Sequence, residues 1–404
     1  MSNNGREFTS DGARVRLASV RVLDVQPWSG PQLGSTLVSV RGQGMLPGAL
    51  FCRFGEGEAV AAWGGGLSRV RCSSTPSAVS GWVSLQLSTA YGALSSGSSF
   101  YYHGAMYVSS VAPPLGPERG GTRLAVLGSG FRDAYTLRCR FDNASSAVLA
   151  RYVDEAQLEC VTPLHSLGAK AVLVSMNAQQ YSRGGDVRYT YQAAAAVSSV
   201  SPSVAAAEGG TPLTVLGSGF SAASEALGYL LCRVGGAVRR ARWASPTAVV
   251  CNTTRAAAGE AVVEVSNNGR EYTSDGVSVR LVSVRVQDVQ PWSGPQLGST
   301  VVSVRMAGAL PGALLCRFGE SSAVGAWSGG ASRLRCVSTP SAVTGWVGVQ
   351  LSSFVGALSS GGSFYYHAAL HVSGVAPPLG PERGGTRVTV LGGGFRDAYT
   401  LRCR

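Results

Sequence analysis

The fold is indicated most clearly by the segment Leu137-Arg138-Cys139-Arg140-Phe141, in which apolar residues alternate with arginines. Successive side chains on a β-strand point to opposite faces, so a period of two indicates a half-buried strand. The same alternation returns in Leu334-Arg335-Cys336 and in Thr386-Arg387-Val388-Thr389-Val390. Because the cysteines share the apolar face, we expect their sulfur atoms to point into protein cores.

Cys139 is one of nine cysteines in the 404-residue chain, and these cysteines recur at regular intervals along the sequence. They form the pairs Cys52/Cys72, Cys139/Cys160, Cys232/Cys251 and Cys316/Cys336, followed by Cys403 alone. The gap within each pair is nearly constant, and so is the interval from one pair to the next. This regularity predicts a row of similar small domains of about 88 residues each.

The cysteine pairs are interpreted as disulfides. A domain of this size buries a modest core, and a bridge closing a loop of about 20 residues stabilises it by roughly 3 kcal/mol. Zinc sites need Cys-x-x-Cys clusters or nearby histidines, and the sequence has neither. Free buried thiols are the alternative. Cys403 is expected to be unpaired by truncation, since a partner spaced like Cys160 would lie beyond Arg404.

Disulfides indicate an oxidising compartment. Two glycosylation sequons agree with this location, Asn143-Ala144-Ser145 and Asn252-Thr253-Thr254. No apolar signal segment follows Met1, and no apolar run is long enough to cross a bilayer. We therefore expect a piece of a longer extracellular or cell-surface protein, with any signal peptide or membrane anchor outside this sequence.

A longer period, equal to three units, relates the two ends of the chain. Gln26–Pro31 returns as Gln290–Pro295, and Ala112–Thr122 returns unchanged as Ala376–Thr386. Four complete domains are predicted, flanked by the C-terminal strands of one truncated domain and the N-terminal part of another. The predicted boundaries are 1–17 for the leading fragment, 18–105, 106–194, 195–281 and 282–369 for the complete domains, and 370–404 for the trailing fragment.

The net charge of +12 comes from 34 basic and 22 acidic residues. A nucleic-acid-binding protein usually clusters its positive charge, whereas here the arginines are spread along the chain. The excess is interpreted as a composition bias, with weak attraction to acidic polysaccharide or membrane surfaces as the alternative. No nucleic-acid partner is expected.

Short alternating runs separated by turn signals such as Gly120-Gly121 and Gly209-Gly210 predict an antiparallel β-sandwich in each unit. The fold class is therefore all-β, with the sandwiches in tandem. The alanine runs 193–196 and 205–207 are too short for stable helices and are interpreted as linker or loop.

The second unit contains a series of motifs that identifies a family. It reads Val108-Ser109-Ser110-Val111-Ala112-Pro113-Pro114, Gly116-Pro117-Glu118-Arg119-Gly120-Gly121-Thr122, Leu124–Phe131, Cys139-Arg140-Phe141 and Cys160-Val161-Thr162-Pro163. This series resembles the IPT/TIG domain, an immunoglobulin-like module shared by plexins, related receptors and some transcription factors. The third unit is similar through Gly209-Gly210-Thr211 and Cys232/Cys251. The resemblance implies that the units are immunoglobulin-like sandwiches in a cell-surface array.

Three tryptophans, Trp63, Trp243 and Trp327, each follow the first cysteine of their unit at the same offset. The fixed offset favours packing against the core, and a carbohydrate-stacking platform is the alternative. Trp82 and Trp346 share a different offset, measured from the second cysteine of their units, and have no counterpart in the other units. No role is assigned to these two.

The sequence contains no recognisable catalytic centre. The histidines, interpreted as surface or strand-end residues, are His103, His165, His367 and His371. Asp133 and Asp397 are assigned to turns, with a weak cation site as the alternative. We predict that the protein is not an enzyme and has no catalytic, cofactor-binding or metal-binding residues.

The function predicted from these features is that of a non-catalytic extracellular array, serving as an adhesion, receptor-ectodomain or stalk segment that binds an unidentified protein or glycan. Two alternatives remain open. One is a transcription-factor-type IPT/TIG protein, and the other is a set of accessory modules of a polysaccharide-acting enzyme encoded outside this segment.

Overall fold

The structure is a computed structural model that describes residues 6, 19–45, 48, 50–90, 92–93, 95–142, 146–182, 186–308, 314–328, 332–353, 356–357, 359, 361–395 and 402–403. The chain forms two compact units, 1–194 and 195–404. In its described part the regular secondary structure is β-strand apart from one short helix, so the all-β prediction is confirmed. The predicted segment 1–17 lies outside the described residues apart from Arg6.

The first unit begins with a sandwich of ten strands. They are β1 (Val20–Gln26), β2 (Ser29–Pro31), β3 (Leu37–Gln43), β4 (Leu50–Phe54), β5 (Gly57–Trp63), β6 (Arg69–Ser73), β7 (Gly81–Thr89), β8 (Gly92–Ala93), β9 (Ser95–Ser96) and β10 (Ser98–His103). One face has the order β9-β1-β3-β6 and the other β2-β10-β7-β4. Strand β5 pairs first with β4 and then with β6, so it passes from one face to the other.

The second sandwich of this unit has the same plan with eight strands. They are β11 (Tyr107–Ala112), β12 (Leu115–Pro117), β13 (Arg123–Ser129), β14 (Arg138–Phe141), β15 (Val148–Asp154), β16 (Gln157–Val161), β17 (Gly168–Ser175) and β18 (Arg188–Gln192). The order is β11-β13-β16-β15-β14-β17-β18-β12, and β15 is the strand that changes faces.

The second unit opens with a third sandwich. Its elements are β19 (Ala196–Ser201), β20 (Val204–Ala206), β21 (Pro212–Ser218), α1 (Ala222–Ala226), β22 (Leu231–Val234), β23 (Ala237–Arg240), β24 (Arg242–Ser245), β25 (Ala248–Asn252), β26 (Gly259–Ser266) and β27 (Ser278–Val282). Its faces are β19-β21-β25-β24 and β20-β27-β26-β22-β23. The single-turn helix α1 is capped by Ser221, whose hydroxyl accepts a hydrogen bond from the Ser224 amide.

The fourth sandwich and a hairpin follow. Their strands are β28 (Arg285–Gln290), β29 (Ser293–Pro295), β30 (Val301–Ala307), β31 (Leu315–Phe318), β32 (Ser321–Val324), β33 (Ala326–Trp327), β34 (Arg333–Val337), β35 (Gly345–Ser353), β36 (Gly356–Ala357), β37 (Gly362–His367), β38 (His371–Ala376) and β39 (Thr389–Gly393). The faces are β28-β30-β34-β33 and β29-β37-β35-β31-β32, and β38 pairs with β39.

Each sandwich has a disulfide that joins its two faces. The bridges are Cys52–Cys72, Cys139–Cys160, Cys232–Cys251 and Cys316–Cys336, with Cα–Cα distances of 6.2, 6.4, 6.0 and 6.2 Å. Every bonded cysteine is buried, as the alternation around Cys139 predicts. The pairing is the one expected from the spacing, and Cys403 is free and exposed.

The alanine runs differ from their prediction. Ala196 begins β19, and Ala205 and Ala206 lie in β20, which pairs in parallel with β27. The interpretation as linker or loop is wrong for these three residues. Ala205 and Ala206 are fully buried, so packing rather than intrinsic propensity determines that they are strand.

Candidate binding surfaces

An aromatic cluster lies on the outside of the first sandwich. The Trp28 and Trp82 rings stack with centroids 5.5 Å apart and an interplanar angle of 21°, and Tyr101 meets Trp82 edge-on at 5.2 Å. The strands determine this arrangement, since Trp82 on β7 is the cross-strand partner of Tyr101 on β10. The Tyr101 amide also donates to the Trp28 carbonyl oxygen at 2.9 Å, which holds Trp28 beside the pair.

The fourth sandwich repeats this cluster with Trp292, Trp346 and Tyr365. The indoles are 5.7 Å apart at 23°, and Tyr365 lies 5.3 Å from Trp346. Trp82 and Trp346 are each 62% exposed, and Trp292 is 40% exposed. Aromatic side chains grouped on a surface are typical of interaction sites, because contact with a partner removes a large apolar area from water.

A polar joint connects the two sandwiches of the first unit. It is made by the loop after β17, whose side chains reach Thr36 and the first residue of β3, Leu37. Gln179 makes two hydrogen bonds with the backbone of Leu37: the Leu37 amide donates to Oε1 and Nε2 donates to the Leu37 carbonyl, both at 2.9 Å. Asn177 Nδ2 donates to Thr36 Oγ1 at 3.2 Å, and Thr36 Oγ1 donates to Gln180 Oε1 at 2.9 Å. These bonds order the junction within this unit.

The aromatic cluster of the first sandwich also takes part in this joint. Trp28 packs against the core of the second sandwich, and the Arg132 guanidinium lies 4.7 Å from the centre of the Tyr101 ring. Such cation–π contacts contribute about 0.5–1 kcal/mol at exposed sites. Trp82 remains exposed beside the joint. One side of the cluster therefore packs in the junction, and the other side faces solvent.

His103, at the end of β10, borders a cavity of about 590 Å³ at the same joint. Its Nδ1 donates to the Gly104 carbonyl oxygen at 2.9 Å, while the buried Nε2 has no hydrogen-bond partner among the described residues. Burial lowers the pKa of the His103 imidazole, although the bond to Gly104 opposes the shift. His103 and His367 both occupy strand ends, but His103 is buried whereas His367 is half-buried.

The tryptophans divide into two groups. Trp63 and Trp243 pack against the cores of the first and third sandwiches, and their Nε1 atoms donate to the Gly48 and Phe220 carbonyl oxygens at 3.2 Å. Their packing agrees with the core role expected from the cysteine offset, and the Trp327 side chain is not described. Trp82 and Trp346, to which the sequence assigned no role, are the exposed members. The available signal was the recurrence of Trp82 and Trp346 together with the Phe-Tyr-Tyr segment, to which the structure pairs them across strands.

The remaining predicted site residues are not gathered into a centre. Asn252 is exposed at the end of β25, whereas Asn143 lies outside the described residues, so glycosylation of both stays a prediction. Asp133 is exposed in a loop, and Asp397 is also outside the described part. Where the structure describes the chain, no three His, Cys, Asp or Glu residues come together as a metal site. In the same residues, no helix has the length and apolar character needed to cross a membrane.

Comparisons with known proteins agree with this architecture. The IPT/TIG domain family model matches residues 106–191 and 195–280. Fibrocystin-L of Homo sapiens is 29% identical over 172 residues, which is 41% of this chain and 4% of that protein. This chain therefore spans only a small part of that relative.

Solved structures that are similar to this chain include the plexin A4 extracellular region, with a TM-score of 0.40, 14% identity, and coverage of 94% of this chain and 41% of that one. Invasin, a bacterial integrin-binding protein, has a TM-score of 0.24, 11% identity, and coverage of 88% and 81%. Together with the disulfide-linked sandwiches described above, the family match shows that the chain carries two tandem IPT/TIG domains, at residues 106–191 and 195–280.

Proposed function

We propose that this chain is a segment of a non-catalytic extracellular or cell-surface array, whose sandwiches space and present binding surfaces for a protein or glycan. The observation that carries the proposal is the exposed, stacked tryptophan pair that recurs in the first and fourth sandwiches. An adhesion, receptor-ectodomain or stalk segment needs such surfaces on a stable support, and it needs no catalytic residues.

The disulfides support the extracellular part of the proposal. Four buried bridges persist in an oxidising compartment, whereas cytosolic thiol systems keep such cysteines reduced. The exposed sequon at Asn252 is compatible with the same compartment.

The joint in the first unit supports a spacing role. Domains connected by flexible linkers move independently, whereas the paired bonds between Gln179 and Leu37 restrict the two sandwiches. A binding surface on the first sandwich is thereby held in a fixed relation to the second.

The exposed indoles support the binding role. Trp82 and Trp346 present flat apolar faces that neither the cores nor the joint uses. Rigid aromatic side chains supply contact area at low entropic cost and are enriched among the residues that dominate binding energy.

The test compares the secreted full chain with a W82A/W346A variant on an array of immobilised glycans and purified extracellular matrix proteins. We expect the wild-type chain to bind at least one class and the variant to lose about tenfold or more, given the size of aromatic hot spots. The matched control is L149A/L164A, which removes two other exposed apolar side chains. Equal losses in both variants would contradict a specific role for the tryptophans, as would unchanged binding by W82A/W346A.

A second measurement addresses the compartment. Peptide mapping of the secreted chain without reduction is expected to recover four intramolecular disulfides with the pairing of the structure. Recovery of these eight cysteines as free thiols would exclude the extracellular assignment.

A further inference from the structure

The outer face of the fourth sandwich carries three exposed arginines. Strand β30 buries Val302 and Val304 and turns Arg305 outward. Strand β34 buries Leu334 and Cys336 and turns Arg333 and Arg335 outward. Arg305 and Arg333 are direct cross-strand partners, and the first sandwich repeats the arrangement. The two arginine faces consist of Arg305, Arg333 and Arg335 in the fourth sandwich and Arg41, Arg69 and Arg71 in the first.

The arginine face of the fourth sandwich has one carboxylate beside its three arginines, Asp288, and that carboxylate forms no ion pair with them. Like charges directly opposite each other destabilise a sheet, and a bound anion would relieve this repulsion. Among the described residues, none of the six arginines forms an ion pair. Asp288 is the cross-strand partner of Arg305, and its Oδ1 instead accepts a hydrogen bond from the Val289 amide at 2.9 Å.

The second sandwich shows the neutralised form of the same face. There Glu159 directly precedes the second cysteine, at the position that Arg335 occupies in the fourth sandwich. Glu159 accepts hydrogen bonds from Arg151 and Arg123, and the Arg151 bond chiefly holds the pKa of the Glu159 carboxyl below its usual value. The uncompensated arginines are thus a property of particular sandwiches and not of the fold.

A groove adjoins the arginine face and ends at the aromatic cluster. Its volume is about 990 Å³, at the upper end of the roughly 300–1,000 Å³ typical of ligand sites. The three arginines line it together with Asp288 and with Trp292, which is stacked on exposed Trp346. The groove thus has three cationic side chains against one carboxylate. The groove therefore combines planar cationic donors with a flat apolar surface.

We propose that this groove binds an anionic polysaccharide. Guanidinium groups match the geometry of sulfate and carboxylate oxygens and pair with them in a bidentate manner. The apolar C–H face of a pyranose ring packs on an indole such as Trp292. The inference rests on the proposed extracellular function, and it adds the class of ligand.

Two features favour a glycan over a nucleic acid or an acidic protein. The first is the extracellular location of the proposed function, which the disulfides support and in which nucleic acids are not the usual polyanions. The second arginine face, three repeat units earlier in the chain, repeats the same cationic pattern, which suits a class of ligand that itself repeats its charged groups.

The test measures binding of the full 404-residue chain to immobilised heparin as a sulfated probe, polygalacturonate as a carboxylate probe and dextran as a neutral probe. We expect binding to at least one charged polymer, none to dextran, and a steep loss with added salt because exposed charges are screened. The two charged probes distinguish sulfate from carboxylate recognition.

The test variant replaces all six face arginines by glutamine: R41Q/R69Q/R71Q/R305Q/R333Q/R335Q. The matched control makes the same charge change at exposed arginines elsewhere: R188Q/R239Q/R240Q/R242Q/R255Q/R280Q. We expect the test variant to bind at least tenfold more weakly and the control to stay within about threefold of wild type. A lysine version of the test variant keeps the charge and removes the planar fork, so it should show an intermediate loss.

Equal losses in the test and control variants would overturn the proposal, since bulk charge would then explain the binding. Unchanged binding by the glutamine and lysine variants would also overturn it. Duplex DNA bound as tightly as the polysaccharide and lost in the same variants would assign the face to nucleic acid instead. If a ligand depends on Trp82 and Trp346 but not on the arginines, this inference fails while the proposed function stands.

Discussion

We expect the single side chain of His103 to lower the stability of the first unit in acid. Burial lowers its pKa in the folded chain, whereas an unfolded histidine has a pKa near 6.5. The unfolded state therefore takes up the proton first as the pH falls. The stability that neutral His103 contributes is complete above about pH 6.5 and is lost as the pH falls through the folded pKa.

We therefore predict that the thermal midpoint of the transition involving residues 18–194 decreases between pH 7.5 and 5.0, and that H103Q reduces this decrease. Calorimetry of the wild-type and H103Q full chains at matched ionic strength checks this. Parallel pH profiles for the two proteins would show that His103 does not contribute to the acid response.

Gly294 illustrates how closely the strand β29 approaches its neighbours. A Cβ atom at this position would lie 2.9 Å from the Phe364 ring and in closer contact with Thr300 Oγ1. At Gly348, an exposed residue on β35, a Cβ would meet nothing within 4 Å.

We predict that G294A destabilises the fourth sandwich by about 1–3 kcal/mol through overpacking, whereas G348A is neutral or slightly stabilising. Hydrogen exchange of the buried amides of this sandwich, measured in both variants, provides the comparison. Equal protection in the two variants would mean that the close approach at Gly294 relaxes without cost.

At the scale of elements, alternation around the cysteines predicted the buried strands because one residue in two must face the core. It could not predict β20, since Ala205 and Ala206 carry no strand propensity and become strand through burial against neighbouring elements. The Gln179–Leu37 contact could not be predicted either, because it joins residues 142 positions apart. The loop that carries Gln179 is polar, and a polar loop gives no sign of the residue that it contacts. The exposed tryptophans were visible as a repeat, but their stacking on Trp28 and Trp292 joins segments that are distant in sequence and appears only in the structure.

The joint in the first unit yields a prediction at this scale. The Leu37 amide donates to the Gln179 side chain, so Q179A should leave it exposed to water and accelerate its hydrogen exchange by at least tenfold. The Val40 amide, inside β3, should keep its protection and serves as the internal control. Unchanged exchange at Leu37 in Q179A would show that the joint does not persist in solution.

At the scale of the whole molecule, the array has four bridged sandwiches and one exposed free thiol, Cys403. An exposed thiol in an oxidising medium pairs with another molecule when no internal partner is available. We predict that the secreted chain forms covalent dimers on non-reducing gels, and that C403S abolishes them without altering the four internal bridges. Dimers that persist in C403S would point to exchange involving a bridge cysteine.

The face-to-face disulfides also have a mechanical consequence. Each joins cysteines 19 to 21 positions apart, and the loop that it closes contains the strand or strands that connect the two faces. A pulling force cannot extend that loop while the bond is intact. With a span of about 3.5 Å per extended residue, each bridge should withhold roughly 70 Å from the length released when its sandwich ruptures. When such a chain is pulled from its ends, each sandwich that unfolds should release a shorter length of chain than it would without its bridge. Reducing agents should increase the length released by every sandwich.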